Sequence, residues 1–255
     1  MIARRGAWRP AAASAAMALA LAAWPALAAA EPFLDLYTGT VDTSRADVRI
    51  KQPEAGSDFT IKGLSFTDRS FEEPPNIGAR AGYFFEGLPW LGVGLEYFHF
   101  KMIGEVGASR PITGTRRGAA IDATLPVNAI VQQFTISNGV SYLSLDVLAR
   151  YGFLADPEGY PRGRLQLYAG GGVGPVITYA LTTIDGVGSR SGYELGGVGV
   201  QGFAGIRFML LRHVGVFVEG KVTHASLTVG VARGGEAKVD ETSRHVVAGI
   251  TFVLP

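Results

Sequence analysis

The stretch GLEYFHFKM, residues 94–102, gathers Glu96, His99 and Lys101. A carboxylate and an imidazole can exchange protons, and an ammonium can hold an anion, so these three are the candidate catalytic residues. Period-two alternation divides them, however. His99 and Lys101 share a side with Leu91, Val93, Leu95 and Tyr97, whereas Glu96 faces the other way. The other histidines are His213, His224 and His245; His213 falls in a turn and is expected to be solvated. No phosphate loop, HExxH, GxSxG or metal-spaced Cys/His cluster occurs, so the sequence names no metal ligands and no cofactor is expected. AGGGVG (169–174) is no phosphate cradle, because no helix follows it.

The elements that must carry these residues are strands. No stretch beyond residue 31 keeps a helical period, while alternation predicts strands at 33–41, 75–86, 90–103, 139–153, 164–180, 193–209, 213–231 and 242–254. Their connections differ by end. EGLPW (86–90), LADPEGYPRG (154–163) and LLRH (210–213) are short or marked by Pro and Gly; 42–74 and 104–138 are long and polar, and 181–192 and 232–241 are Gly-rich and polar. Tight turns at one end and long loops at the other predict an all-β, eight-stranded antiparallel transmembrane barrel of the up-and-down type.

The two faces of each strand support a membrane barrel over a soluble sandwich. Leu143, Leu145, Val147, Ala149, Tyr151 and Phe153 oppose Tyr142, Ser144, Asp146, Leu148, Arg150 and Gly152; Val246, Ala248, Ile250, Phe252 and Leu254 oppose Val247, Gly249 and Thr251. One face is continuously apolar and the other mixes glycine with charge. A narrow eight-stranded barrel needs that glycine, since its interior barely admits side chains.

The glycine-bearing face carries Asp35, Glu96, Asp146 and Glu219 against Arg80, Arg150, Arg207 and Lys221. The turn EGLPW sets Phe85 opposite Leu91 and therefore Arg80 opposite Glu96, and Glu219 and Lys221 fall at the same height across the barrel. A lumen plugged by ion pairs is expected. On the outer side, at roughly 2.5 Å of height per tilted residue, His99 and Lys101 stand about 20 and 25 Å above Leu91, at the top of an apolar band about 25 Å tall. Two readings stand for the pair: an interface anchor, or a site for a lipid A headgroup to which Lys101 snorkels. His224 lies at a similar level on another side.

Residues 1–30 hold Arg4, Arg5 and Arg9, an apolar Ala/Leu run broken by Pro25, and then small residues, as a secretory signal peptide does, with cleavage near Ala28 or Ala30. The barrel domain is then 31–255, placed in the cell outer membrane of a Gram-negative envelope. With no Cys among its 255 residues it relies on no disulfide, and a net charge of +1 excludes nucleic acid as a partner. The partners expected are outer-membrane lipids and lipopolysaccharide, and the barrel assembly machinery during insertion; what the long loops bind is unidentified. The chain ends FVLP, which leaves Phe252 three residues short of the usual terminal aromatic.

SFEEPPNIGARAGYFF (70–85), GLEYFHFKM (94–102), FTISNGVSYLSLDVLARY (134–151), YELGGVGVQGFAGIRFML (193–210), VFVEGKVT (216–223) and RHVVAGITF (244–252) together resemble a family of small outer-membrane β-barrels that includes the rhizobial lipid A oxidases. The resemblance spans roughly residues 57–252 and implies an eight-stranded barrel. For the oxidases it implies oxygen-dependent conversion of the proximal glucosamine of lipid A, with Glu96, His99, Lys101, Glu219 and Lys221 at matching positions. The chain departs from that pattern where Ser137-Asn138-Gly139-Val140-Ser141 replaces S-H-G-x-N and where Tyr179 replaces a histidine. The leading expectation is a closed structural or surface-interaction barrel; the others are a lipid-A-modifying enzyme and, last, a narrow pore.

Overall fold

The computed structural model describes residues 30–254, and the signal peptide read at 1–30 lies outside them but for Ala30. Thirteen strands follow in order: β1 (Ala30–Thr43), β2 (Ala46–Gln52), β3 (Ser57–Leu64), β4 (Phe66–Thr67), β5 (Ile77–Phe85), β6 (Leu91–Gly104), β7 (Ser109–Arg116), β8 (Ala119–Pro126), β9 (Val131–Phe153), β10 (Leu165–Ile184), β11 (Val187–Met209), β12 (Val214–Val231) and β13 (Gly235–Val253). Eight of them, β1, β5, β6, β9, β10, β11, β12 and β13, form an antiparallel ring that closes where Phe33 meets Val253. Closure leaves no free edge on the ring, the condition for a β-structure in lipid.

The stretches expected as long polar loops consist largely of strands. β2 continues the line of β1 along the upper part of β13, with Val48 opposite Val239, and β3, β7 and β8 extend that sheet. The Gly-rich connections read at 181–192 and 232–241 are also largely strand: β10 and β11 run on to a two-residue turn, Asp185-Gly186. Both turn residues have positive φ (51° and 77°), the hairpin geometry that Asp-Gly favours. These upper segments form a cap. Arg116 and Arg117, at the β7–β8 tip, pair with Asp185, Arg116 Nε at 3.1 Å, and pin one hairpin to the other.

Strand polarity inverts between barrel and cap. Facing outward, β13 shows Phe252, Ile250, Ala248 and Val246, then Arg244, Thr242, Asp240, Lys238 and Glu236. Its inward row changes oppositely, from a mixed run of Val253, Thr251, Val247, His245, Ser243 and Glu241 to Val239 and Ala237. β12 likewise runs Glu219, Lys221, Thr223 and then Ala225, Leu227, Val229 and Val231 along one buried row. Below the inversion the barrel has a polar interior and an apolar exterior; above it the cap has an apolar core with Ile50, Phe59, Ile61, Ile112 and Phe134 fully buried. Aromatic side chains bracket the apolar exterior. Tyr83 with Phe85, Tyr151 with Phe153, and the exposed Trp90 lie near the tight turns, and Tyr97 and the Tyr179–Tyr193 pair lie toward the cap.

Inward glycines make room for the interior. A Cβ on Gly78 would fall 2.1 Å from the Tyr37 ring, and one on Gly199 would fall 2.2 Å from the Tyr142 ring. The large inward side chains therefore lie flat across glycines of neighbouring strands.

Candidate functional site

The interior of the barrel is a layer of charge around Arg80. Its guanidinium donates to Glu96 (2.9 Å), Glu219 (2.9 Å) and Asp146 (3.2 Å), and lies 3.8 Å from Asp35. Lys221 donates to Glu96 at 2.6 Å, and Arg207 donates to Asp35 at 2.9 Å. All seven side chains are buried. Arg80 also lies 3.9 Å from the centroid of the Phe203 ring, and Lys221 Nζ lies 4.3 Å from that of Phe98, so aromatic faces complete the cation shells.

Arg150 does not join this layer. It donates to Glu31 (Nη2 to Oε2, 2.9 Å) and to the Pro89 carbonyl (2.9 Å), and stacks over Phe84 near the tight turns. The reason is height: Arg150 is level with Leu91, whose strand partner is Ala149, whereas Asp146 lies opposite Gly94. Four carboxylates of the central layer therefore meet three cations. Neutral donors fill the deficit: Tyr37 donates its hydroxyl to Glu96, Gln201 donates to Asp146 (2.7 Å), and Ser144 donates to Asp146 (2.9 Å). The sequence reading passed over Tyr37 and Gln201, although Tyr37 shares a face with Asp35 two positions away.

Toward the cap is a second buried cluster, also missed by collecting charges alone. Tyr142 donates to Glu241 (2.7 Å), Thr223 donates to the other Glu241 oxygen (2.9 Å), and His245 Nε2 lies 3.1 Å from Thr223 Oγ1. Phe98 and Phe100 pack edge-on against the His245 ring. Above this cluster the interior is apolar, so the lumen is filled at two levels and covered by the cap.

His99 and Lys101 keep the outward parity read from the sequence, but neither stands free at a lipid interface. β5 stops at Ile77 while β1 and β6 continue, and segment 68–76 occupies the wall above it. Val41 N–H donates to Asp68 (3.0 Å), Thr38 donates to the Asn76 carbonyl (2.6 Å), and β4 pairs with the top of β6. This segment lies over the outer side of β6, where Lys101 Nζ donates to the carbonyls of Arg69 (2.7 Å) and Glu72 (2.8 Å). Lys101 is 3% exposed and His99 8%, which corrects the expectation of a free, snorkelling ammonium. Glu96 points into the lumen, so Glu96, His99 and Lys101 do not share one site. His224 is exposed and hydrogen-bonds Thr242 (2.9 Å), and His213 is exposed with Nδ1 3.1 Å from the Val253 carbonyl. Among the described residues no group of His, Cys, Asp and Glu is arranged to hold a metal ion.

No protein-family model and no curated protein matches the chain. Among solved structures it is similar to Neisserial surface protein A, at 9% identity over 87% of this chain and 96% of that one, with a TM-score of 0.42. It is also similar to the outer-membrane protein OprG of Pseudomonas aeruginosa, at 16% identity over 89% and 96% of the two chains, TM-score 0.40. A third is Ail, the attachment invasion locus protein of Yersinia pestis, at 11% identity over 87% and 99%, TM-score 0.34. The barrel itself is fixed by the chain's own ladders, which pair every strand of the ring with two neighbours.

Proposed function

We propose that this chain is an integral outer-membrane protein with a closed lumen, whose role is structural or surface-binding and is exercised through the cap. The observation that carries this reading is the polarity inversion along β12 and β13. A long row of exposed Leu, Val, Ile and Phe on a closed barrel belongs against hydrocarbon, because an apolar patch of that extent is unfavourable in water. Where the same strands turn polar outside and apolar inside, they have left the bilayer. The tight turns then face the periplasm and the cap faces outward. Lipids and lipopolysaccharide surround the apolar band, and the barrel assembly machinery inserts it.

The charge layer favours closure over conduction. Arg80 is held by four carboxylates at once, and opening an ion path would strand buried charges without partners. The test is envelope fractionation combined with planar-bilayer recording of the refolded protein. The protein is expected in the outer-membrane fraction, with a heat-modifiable gel mobility and no large steady current. A water-soluble periplasmic protein would overturn the membrane reading, and large stable wild-type currents would overturn the closed lumen.

A further inference from the structure

Near the upper end of the apolar band, four outward side chains from adjacent strands form one row: Ile77, His99, Ser141 and Ile177, each the ladder partner of the next. His99 Nδ1 lies 3.2 Å from Ser141 Oγ, within reach for a nucleophile and its base. The Tyr97 hydroxyl lies 3.4 Å from the same oxygen. His99 Nε2 is buried and has no hydrogen-bond partner among the described residues. Both ladders of β9 shift register in this region, between Phe100 and Met102 on β6 and between Thr178 and Leu181 on β10, and Gly139 has φ of 148°. A Cβ on Gly139 would fall 2.9 Å from Ser141 Oγ and 3.6 Å from His99 Nδ1, so glycine leaves the pair its space.

The surroundings suit an amphiphile. Ile77, Ile177 and Tyr97, beside the pair, are exposed on the apolar band. Toward the cap a crevice of about 340 Å³ is lined by both charges, Arg69 and Lys101 with Glu72 and Glu73, and by Gln133 and Thr135. An acyl chain can lie along the first surface while a polar headgroup enters the second.

We propose that Ser141 and His99 are the nucleophile and general base of an esterase site for an acyl ester of an outer-leaflet lipid; this rests on the membrane reading above. His99 Nδ1 takes the Ser141 proton as Oγ attacks the ester carbonyl. The carbon–oxygen bond to the lipid alcohol breaks, and the alcohol leaves with that proton. Water then attacks the acyl-serine with His99 again as base, which releases the carboxylic acid and restores Ser141. Ester and water yield acid and alcohol, with no change of oxidation state. For Nδ1 to accept, the ring proton must sit on Nε2. That donor lacks a protein acceptor, and an oxygen of the bound lipid can supply one.

The test uses the full mature chain, refolded in detergent micelles and treated with a fluorophosphonate probe, with the adduct mapped by mass spectrometry. Fatty acid release is followed in parallel from lipopolysaccharide vesicles and from phosphatidylethanolamine vesicles. The expected result is an adduct on Ser141, absent in Ser141→Ala and formed on the order of a hundredfold more slowly in His99→Asn, with both variants still heat-modifiable. Release from either lipid is expected, and the vesicle that gives it identifies the ester. No Ser141 adduct, equal labelling of wild type and His99→Asn, or no release from either vesicle would overturn the proposal. Labelling in micelles does not depend on cellular location, so failure here is distinct from failure of the membrane reading.

Discussion

Arg80 stands directly opposite Glu96 in the β5–β6 ladder, and its Nη2 donates to Glu96 Oε1 at 2.9 Å. The same guanidinium reaches Glu219 and Asp146, which makes one arginine the hub for strands on different sides of the barrel. Arg80→Ala removes a buried cation and leaves its carboxylates uncompensated. A loss of about 3 to 5 kcal/mol is expected, read as a lower urea midpoint of the refolded barrel. No large steady conductance is expected to accompany it, because the apolar cap still covers the mouth.

Gly78 underlies the Tyr37 ring, and Tyr37 donates to Glu96. Gly78→Val is therefore expected to displace Tyr37 and reduce the yield of heat-modifiable folded barrel. Gly87→Ala, in an open turn with nothing near its Cβ position, is the control and is expected to fold as wild type. Equal folding yields of the two variants would contradict the packing role assigned to Gly78.

Val218 is 57% exposed on β12 below the inversion, and Ser226 is exposed above it. In phospholipid vesicles Val218→Arg is expected to cost about 2 to 4 kcal/mol, and Ser226→Arg about 0 to 1 kcal/mol. Equilibrium unfolding of the two variants checks the difference. Similar costs at both positions would place the bilayer boundary elsewhere.

The cap contains a pH-sensitive contact. Burial alone would raise the Asp185 carboxyl, but hydrogen bonds and charge from Arg116, with Arg117, outweigh it and hold the group below its ordinary value. A depressed folded value means that the contact stabilises the cap above the ordinary carboxylate range and weakens as pH falls through the lowered folded value. Amide exchange in β7 and β8 is expected to accelerate on acidification. In Asp185→Asn it is expected to be fast already at neutral pH. Unchanged exchange in that variant would show that other contacts dock the hairpin.

All eight strands of the ring were legible in alternation, and the EGLPW turn gave the register that sets Arg80 against Glu96. The cap was not legible in the same way. Val48 and Ile50, and Phe59 and Ile61, do alternate, but in strands of 7 and 8 residues set among Pro, Gly and charge, where they read as loop. Their core forms only when distant segments meet. Arg150 was assigned the correct face, but its partner Glu31, at the start of β1, was not collected among the lumen charges. For His99 and Lys101, parity was readable, but burial was not, since it depends on the early end of β5 and on segment 68–76 filling the wall. Ser141 was invisible as a partner of His99 until the β6–β9 register brought the two together.

The polarity inversion along β12 carries the membrane reading, and the absence of native cysteine makes it directly measurable. Single variants Val216→Cys, Val218→Cys, Val222→Cys, Ser226→Cys and Thr228→Cys, refolded into vesicles and spin-labelled, would be compared for access to oxygen and to a water-soluble paramagnetic quencher. The expected result is preferential oxygen access at positions 216, 218 and 222, with a switch to the aqueous quencher at 226 and 228. Uniform aqueous access along the whole strand would contradict a lipid-facing barrel beneath an external cap.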